Sequence, residues 1–432
     1  MANLLYAPEF KVVINNLPIP SELRASISSV TFQSSLDAAD RVELTLVNEN
    51  LRWLDHPLLV MDKSLVLSMG YAPDPLTQLF AGEIVSQNAS FPASGTPTLT
   101  VAAQDRRLRL QRGRKARWFA IPVGSYGNRP IPDVGVLGMV SLEHGLLPVT
   151  DPIGAALAVL LGGAATYAAW DDAEETQKII RKQASESDFD FLRRIAAENG
   201  WEMMIDHSGE FSGYKLRFMS PLDHLSPDVT LRYGQSLIDF SPRLSNVGQI
   251  AGISATIWLS SIKTEFTINV SYNWDRQELE LGITSGFGLP GSMSQTPEAL
   301  AASREKDQGS GTSPPKKEKS LEESSPESSW TLVDEQLTLA TAPRVILGKL
   351  IPLLNKRLTG SGSTVGNPRM IPGKVLRLEG LGEKFSGLYR VTSATHTIDS
   401  GGYRSSFEVC KEIWFGSIPL HEQGAVPIRV SS

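Results

Sequence analysis

A chain of 432 residues is long for a single hydrophobic core and suggests roughly two to four domains. Its apolar content of 41% and charged content of 20% are those of a soluble globular protein, and a net charge of −6 gives no electrostatic reason to expect nucleic acid as a partner. One cysteine, Cys410, excludes an internal disulfide framework and a cysteine-built zinc site, and six scattered histidines without HxxxH-type spacing argue against a metal.

The opening residues, MANLLYAPEFKVVINNLP, lack a basic stretch followed by a long apolar one, so no cleaved signal peptide is expected. Residues 1–110 read as a first small β-barrel. RVELTLVN alternates Val42, Leu44 and Leu46 with polar neighbours, and KSLVLSMGY alternates Leu65, Leu67 and Met69. Two further strand patterns flank the turn string PASGTP. RRLRLQRGRKAR, 106–117, then carries seven basic side chains in twelve positions. It has no interleaved aromatics, so it reads as a strand end whose arginines are solvated or paired at an interface, in preference to an anion or nucleic-acid patch.

Residues 111–227 read as an inserted α+β domain. IGAALAVLLGGAATYAAW, 153–170, is uncharged for 18 residues, at the lower edge of a bilayer-spanning length. Its Ala and Gly content favours a buried or interface helix over a membrane contact or a poorly ordered insert. In SESDFDFLRRIAAENGW a helix is expected over 186–199. Ser185 followed by Asp188 fits a capping pattern, Phe191, Leu192, Ile195 and Ala196 share one face, and Gly200 stands where a left-handed residue ends a helix. Trp201, Met203 and Ile205 then begin a hairpin that YKLRFM completes. Glu186, Asp188 and Asp190 raise a second possibility, because two carboxylates across a cleft can hydrolyse glycosides. Acids in a helix's first turn are, however, favoured by its partial positive charge and free N–H groups, and capping accounts for every residue of the cluster.

The remainder divides by pattern into a second barrel from 228–295 and 365–416, a linker at 296–330, a helical insertion at 331–364 and a tail at 417–432. The linker contains SREKDQGSGTSPPKKEKSLEESSPESS, with almost no large apolar residue, and reads as disordered. The helix PRVILGKLIPLLNKRL is expected to kink at Pro352, and GSGS, 360–363, reads as a flexible stop. The fold class is therefore mainly β with an α/β insertion: two related small β-barrel, tube-like domains plus a helix–hairpin domain.

The relation between the barrels rests on local matches. Lys63 and Lys374 each precede two alternating leucines, and each strand is followed by FAG (Phe80, Gly82) or FSG (Phe385, Gly387). Upstream, SISSVTFQSSLDAADRVELTLV aligns with SLIDFSPRLSNVGQIAGISATI. Catalytic signatures do not accompany this pattern: the sequence holds no GxSxG and no GxxxxGK[ST], and no cofactor is expected.

Three segments, in order, resemble the baseplate hub proteins of contractile injection systems, a family that includes the phage late control D proteins and the N-terminal half of the type VI spike protein VgrG. They are QASESDFDFLRRIAAENGW, LRYGQSLIDFSPRLSNVGQIAGISATIW, and NPRMIPGKVLRLEGLGEKFSGLYRVTSATHTIDSGGYRSSFEVCK, which carries Tyr389 and His396. The resemblance implies a non-enzymatic homotrimer whose two barrels per subunit form a pseudo-sixfold ring between a hexameric inner tube protein and a trimeric spike. Baseplate wedge proteins are further implied partners. The spike is expected to be a separate polypeptide, His396 a barrel residue rather than a ligand, and the protein part of a particle assembled in the cytoplasm. Departures lie in the long apolar segment 118–175. A cell-wall glycan hydrolase using the acid cluster, or a receptor- or membrane-attachment component contacting through 153–170, stands as the alternative.

Overall fold

The chain begins with β1 (Ala7–Ile14) and β2 (Leu17–Pro18), joined by Asn15 and Asn16, both at positive φ. That is the backbone a tight hairpin requires and asparagine tolerates. The computed structural model describes residues 7–168, 173–245, 252–259, 264–273, 278–286, 329–332, 337–338, 341–415 and 428–431. A short helix α1 (Ser21–Ser26) leads into β3 (Ile27–Ser35), β4 (Arg41–Val47), β5 (Ser64–Ala72), β6 (Thr77–Ser90) and β7 (Thr98–Gln104). Val42, Leu44, Leu46, Leu65, Leu67 and Met69 all point into one core.

The middle of the chain supplies β8 (Lys115–Pro122), β9 (Asn128–Pro130), α2 (Asp133–Glu143), β10 (Leu147–Thr150), α3 (Pro152–Ala168), α4 (Ala173–Ile179), β11 (Arg181–Glu186), α5 (Asp188–Glu198), β12 (Glu202–Asp206) and β13 (Lys215–Met219). They form two three-stranded sheets, β11-β8-β9 and β10-β13-β12. A shared core joins them, with Phe191, Leu192 and Ile195 of α5 against Trp201, Met203 and Phe218. In α3, Gly154 lies under Trp201, its N–H donates to Asp223, and Val159 and Leu160 face outward. No helix among the described residues is long and apolar enough to cross a membrane.

The last part contains β14 (Val229–Arg232), β15 (Leu237–Leu244), β16 (Gly252–Leu259), β17 (Thr264–Asn273), β18 (Glu278–Gly286), β19 (Ser329–Leu332), α6 (Ala342–Leu354), β20 (Leu358–Val365), β21 (Val375–Glu379), α7 (Gly382–Phe385), β22 (Gly387–Asp399), β23 (Gly402–Cys410) and β24 (Ile428–Ser431). The fold is mainly β with helical insertions, as the sequence indicates. Its strands are shared out differently, however. A thirteen-stranded sheet runs β15-β20-β23-β22-β3-β4-β7-β6-β5-β1-β2, with β21 on β22 and β14 on β21, and its pairings close no barrel among the described residues. The strands β16, β17 and β18 leave the expected second unit and form a separate sheet, β19-β16-β17-β18-β24, packed on α6. The expected linker 296–330 and tail 417–432 lie outside the described residues, apart from the starts of β19 and all of β24. The helix α6 continues through Pro352 for two residues.

GSGS at 360–363 is not a flexible stop. It is the middle of β20, hydrogen-bonded to β15 on one side and β23 on the other. Glycine is needed there because a Cβ on Gly360 would come 2.6 Å from the Phe240 ring, and one on Gly362 would come 2.8 Å from the Phe407 ring. The two aromatics supply the apolar contacts that the strand itself lacks.

The sheet contains one arrangement twice: β3-β4-β7-β6-β5 repeats as β15-β20-β23-β22-β21. Strand registers fix the equivalences. Gln33 lies opposite Arg41 as Arg243 lies opposite Thr359, and Arg41 opposite Gln104 as Thr359 opposite Cys410. Both copies carry a bulge at the same place, between Ile84 and Ser86 and between Val391 and Ser393. Lys63 and Lys374 are equivalent: each accepts a backbone bond, from Ile84 N–H and Val391 N–H respectively, at 2.9 Å. The FAG and FSG triplets are not. Leu65 faces Gly82 while Leu376 faces Tyr389, so Gly82 corresponds to Tyr389 and Phe80 to Gly387. Ring and glycine have exchanged places, and Phe385 belongs to α7, where its carbonyl accepts from the Tyr389 hydroxyl at 2.7 Å. Upstream, SISSVTFQSS does match SLIDFSPRLS in register, but the counterpart of β4 is β20, not β16.

A Cβ on Gly82 would collide with the Gln104 carbonyl and the Phe80 ring. Gly82→Ala should therefore destabilise by about 2–3 kcal/mol, read as a lower denaturant midpoint.

Candidate functional site

No open catalytic cleft organises the sequence-marked acids. They belong instead to caps and ion pairs inside the inserted domain, while a separate buried charge network holds that domain on the large sheet. The first correction concerns the cap of α5. Ser185 lies in β11 at a bulge, with φ +56°, while Ser187 is the N-cap and its Oγ accepts from Asp190 N–H at 3.1 Å. The sequence contains the capping pattern twice, two residues apart, and pairing of β11 with β8 through Glu186 selects the later one. Gly200 follows the helix at φ +68°.

Asp188 then sits in the first turn, buried, with four partners. Its Oδ1 accepts from Arg117 at 2.8 Å and Gln183 at 2.9 Å, and its Oδ2 lies 2.9 Å from Lys115 Nζ and 2.7 Å from His144 Nε2. Burial opposes its ionisation, but the bonds from His144, Lys115 and Gln183, with the Arg117 charge, hold the carboxyl at about 2. A group so strongly committed to its anion is no general acid at neutral pH. Glu186 accepts from Arg194 at 2.6 Å, and Asp190 accepts from the Ser187 hydroxyl at 2.7 Å. The cluster is a cap and an ion-pair hub.

The basic run 106–117 supplies half of this chemistry. Arg107 is fully buried: its Nε donates to Asp105 at 2.9 Å, its Nη2 to Asp40 at 3.0 Å and its Nη1 to the Met203 carbonyl of β12 at 3.1 Å. His207, just beyond β12, extends the network. Its Nδ1 accepts from Ala81 N–H at 3.1 Å, and its Nε2 therefore donates to Asp40 at 2.7 Å. Burial raises the Asp40 pKa, but Arg107 and His207 outweigh it and leave the carboxyl below its ordinary value. Two clusters among the described residues, Asp40 with Asp105 and His207, and Glu143 with His144 and Asp188, have metal-like proximity. In each the centre is taken by a cationic side chain: Arg107 in the first, Lys115 and Arg117 in the second.

The repeat places a further pair at equivalent positions with the charges reversed. Glu83 faces Gln104 as Arg390 faces Cys410, and Arg106 and Glu412 each lie two residues past those partners. Copy one joins Glu83 to Arg106, at 3.5 Å, and copy two joins Arg390 to Glu412, at 2.8 Å. Both guanidinium groups also reach the inserted domain: Arg106 donates to the Gly213 carbonyl at 3.1 Å and Arg390 to the Pro221 carbonyl at 2.8 Å. These residues flank β13, so each copy grips one end of that strand.

Between α5, α6, the hairpin and the sheet lies a cavity of about 1010 Å³, onto which Trp201, Glu202, Leu347, Arg390 and Cys410 open. Burial, reinforced by Asp37 and Glu412 against the attraction of Arg390, pushes Glu202 up to about 7. Burial likewise raises the Cys410 thiol, so it is not an activated nucleophile.

His396 lies where the two copies meet. Its ring stacks on Phe32 at 5.8 Å, its Nε2 donates to the Met370 carbonyl at 2.7 Å, and its Nδ1 is 2.9 Å from the Tyr403 and Ser405 hydroxyls. Burial lowers its pKa to about 4, only partly offset by the Met370 carbonyl.

No protein-family profile matches the sequence, and no curated protein matches it. Solved structures do. The 43 kDa tail protein of prophage MuSo2 from Shewanella oneidensis is 12% identical over 93% of this chain and 98% of that one, with a TM-score of 0.56. A tail protein from Neisseria meningitidis MC58 is 9% identical over 94% and 97%, at 0.54. The E. coli c3393 protein is described as a type VI secretion component with structural similarity to the T4 tail proteins gp27 and gp5. It is 12% identical over 96% of this chain and 79% of its own, at 0.50. The fold is that of phage tail proteins. Identities this low establish architecture and not residue roles.

Two outcomes follow from the networks. Arg107→Met leaves Asp40 and Asp105 buried beside an apolar side chain and should cost about 3–5 kcal/mol in a denaturant titration. His396 titrates near 6.5 when unfolded and near 4 when folded. Its contribution is therefore whole above about pH 6.5 and declines as pH falls toward 4, by up to roughly 3 kcal/mol. Glu202, with its raised value, changes stability with the opposite sign. The difference between wild type and His396→Gln, titrated from pH 7 to pH 4.5, isolates the histidine and should shrink steadily on acidification.

Proposed function

We propose that the chain is the structural hub of a phage-tail-like contractile injection system: a trimeric symmetry adaptor joining a hexameric inner tube to a trimeric spike. The observation that carries this reading is the strand arrangement repeated within one chain. Three chains with two similar units each offer six similar positions to a sixfold tube while keeping threefold symmetry toward a separate spike protein, with baseplate wedge proteins around them. Likeness to two phage tail proteins and to a type VI secretion component, extending over more than nine-tenths of the chain, supports a structural role in such a particle. The commitment of Asp188, Glu186 and Asp190 to caps and ion pairs supports a non-enzymatic role, and the particle would be assembled in the cytoplasm.

Mass photometry of the purified protein should give a species of three times the chain mass of 47.0 kDa, and pull-downs should recover tube and spike proteins. A protein that stays strictly monomeric and retains neither would sink the reading.

A further inference from the structure

The junction between the two copies within the chain has a vacant counterpart. Inside the chain, β22 of copy two pairs with β3 of copy one, in the register Ser393 to Ser35 through Ile398 to Val30. The structural equivalents of those partners include Gln87–Phe91, at the end of β6, and Phe240–Leu244, along β15. Among the described residues, β6 past Ile84 has β7 on one side and no paired strand on the other, and β15 has no strand partner but β20.

We infer that the free edge of β6 in one molecule pairs antiparallel with the free edge of β15 in a second copy of this chain, repeating between molecules the junction already made within each. This inference rests on the ring proposed above and gives that ring its residue-level contact. The register carries over directly: Asn88 faces Arg243, Ser90 faces Ser241 and Phe91 faces Phe240.

The chemistry of the pairs is compatible. No like charges meet, small polar residues face one another, and Phe91, 59% exposed in the single chain, comes to lie opposite Phe240. Ala89 already packs on the core of copy one, and Phe240 and Leu244 on that of copy two, so the pairing joins the two cores as Ile398 joins them within the chain. Leu36 N–H donates to the Thr392 carbonyl, which sets the alternation along the internal seam and makes His396–Phe32 a mutually bonded pair. Its equivalent is Ala89–Pro242. Proline has no N–H to give, so the external junction forfeits one bond that the internal one keeps. The edge is weaker than the seam but of the same geometry, and a heterologous contact of this kind closes into a ring only if its rotation allows.

Cysteines at a directly opposed, non-bonded pair test the register. Ser90→Cys/Ser241→Cys, in the full chain under mild oxidation, should give intermolecular crosslinks that stop at three chains, and so should Asn88→Cys/Arg243→Cys. Either single variant, or the out-of-register Asn88→Cys/Ser241→Cys, should crosslink at least fivefold less. A trimer by mass photometry that fails to crosslink with both in-register pairs overturns this contact and leaves the hub reading intact. In-register crosslinks that end at two chains, or run on without limit, keep the contact and overturn the trimer. A monomer that does not crosslink overturns both.

Discussion

Arg107 is the pivot of this molecule. A guanidinium group removed from water is tolerable only when its charge is matched and its donors are used, and the fold supplies both from three directions. Asp105 comes from the end of β7, Asp40 from the approach to β4, and the Met203 carbonyl from the inserted hairpin. None of these could move alone without stranding a buried charge. The insertion domain is therefore fixed to the sheet by electrostatic necessity as well as by apolar burial, and His207 reinforces the same point from the hairpin's other end.

The reversed ion pairs extend that logic to both copies. Swapping Glu83–Arg106 for Arg390–Glu412 preserves neutrality, so a duplicated frame can carry either polarity. What changes is where the guanidinium starts: past the strand end in copy one and within the strand in copy two. The strand β13 is consequently bracketed at Gly213 by one copy and at Pro221 by the other. Similar frames have thus acquired different outward connections, which lets two near-equivalent units share a single insertion.

Side-chain patterning made part of this readable. The alternation of Val42, Leu44 and Leu46 gave a buried strand face, and the apolar stripe of α5 gave a packed helix. The match of SISSVTFQSS to SLIDFSPRLS held because β3 and β15 retain length and register. It failed beyond, because β16–β19 and α6 intervene before the true partner of β15 appears. That partner, β20, was illegible: its glycines carry no pattern, and only the Phe240 and Phe407 rings above them explain its place. The triplets FAG and FSG misled for a related reason, since a ring can fill the same space from either of two positions along a strand. The cap slipped by two residues because the pattern occurs twice and a strand pairing, invisible locally, decides between them. The roles of Arg106, Arg107, Lys115 and Arg117 were hidden by their crowding, since a basic run does not disclose which members turn inward.

The seam between β3 and β22 also has a bearing on how the protein is made. Residues 30–35 leave the ribosome well before their partners at 393–398, which are far away along the chain. Until those partners emerge β3 presents an unsatisfied edge, and the long separation between partners makes its completion a slow step. During that interval the exposed edge could capture β22 of a neighbouring nascent chain, giving an exchanged dimer in place of a self-contained molecule.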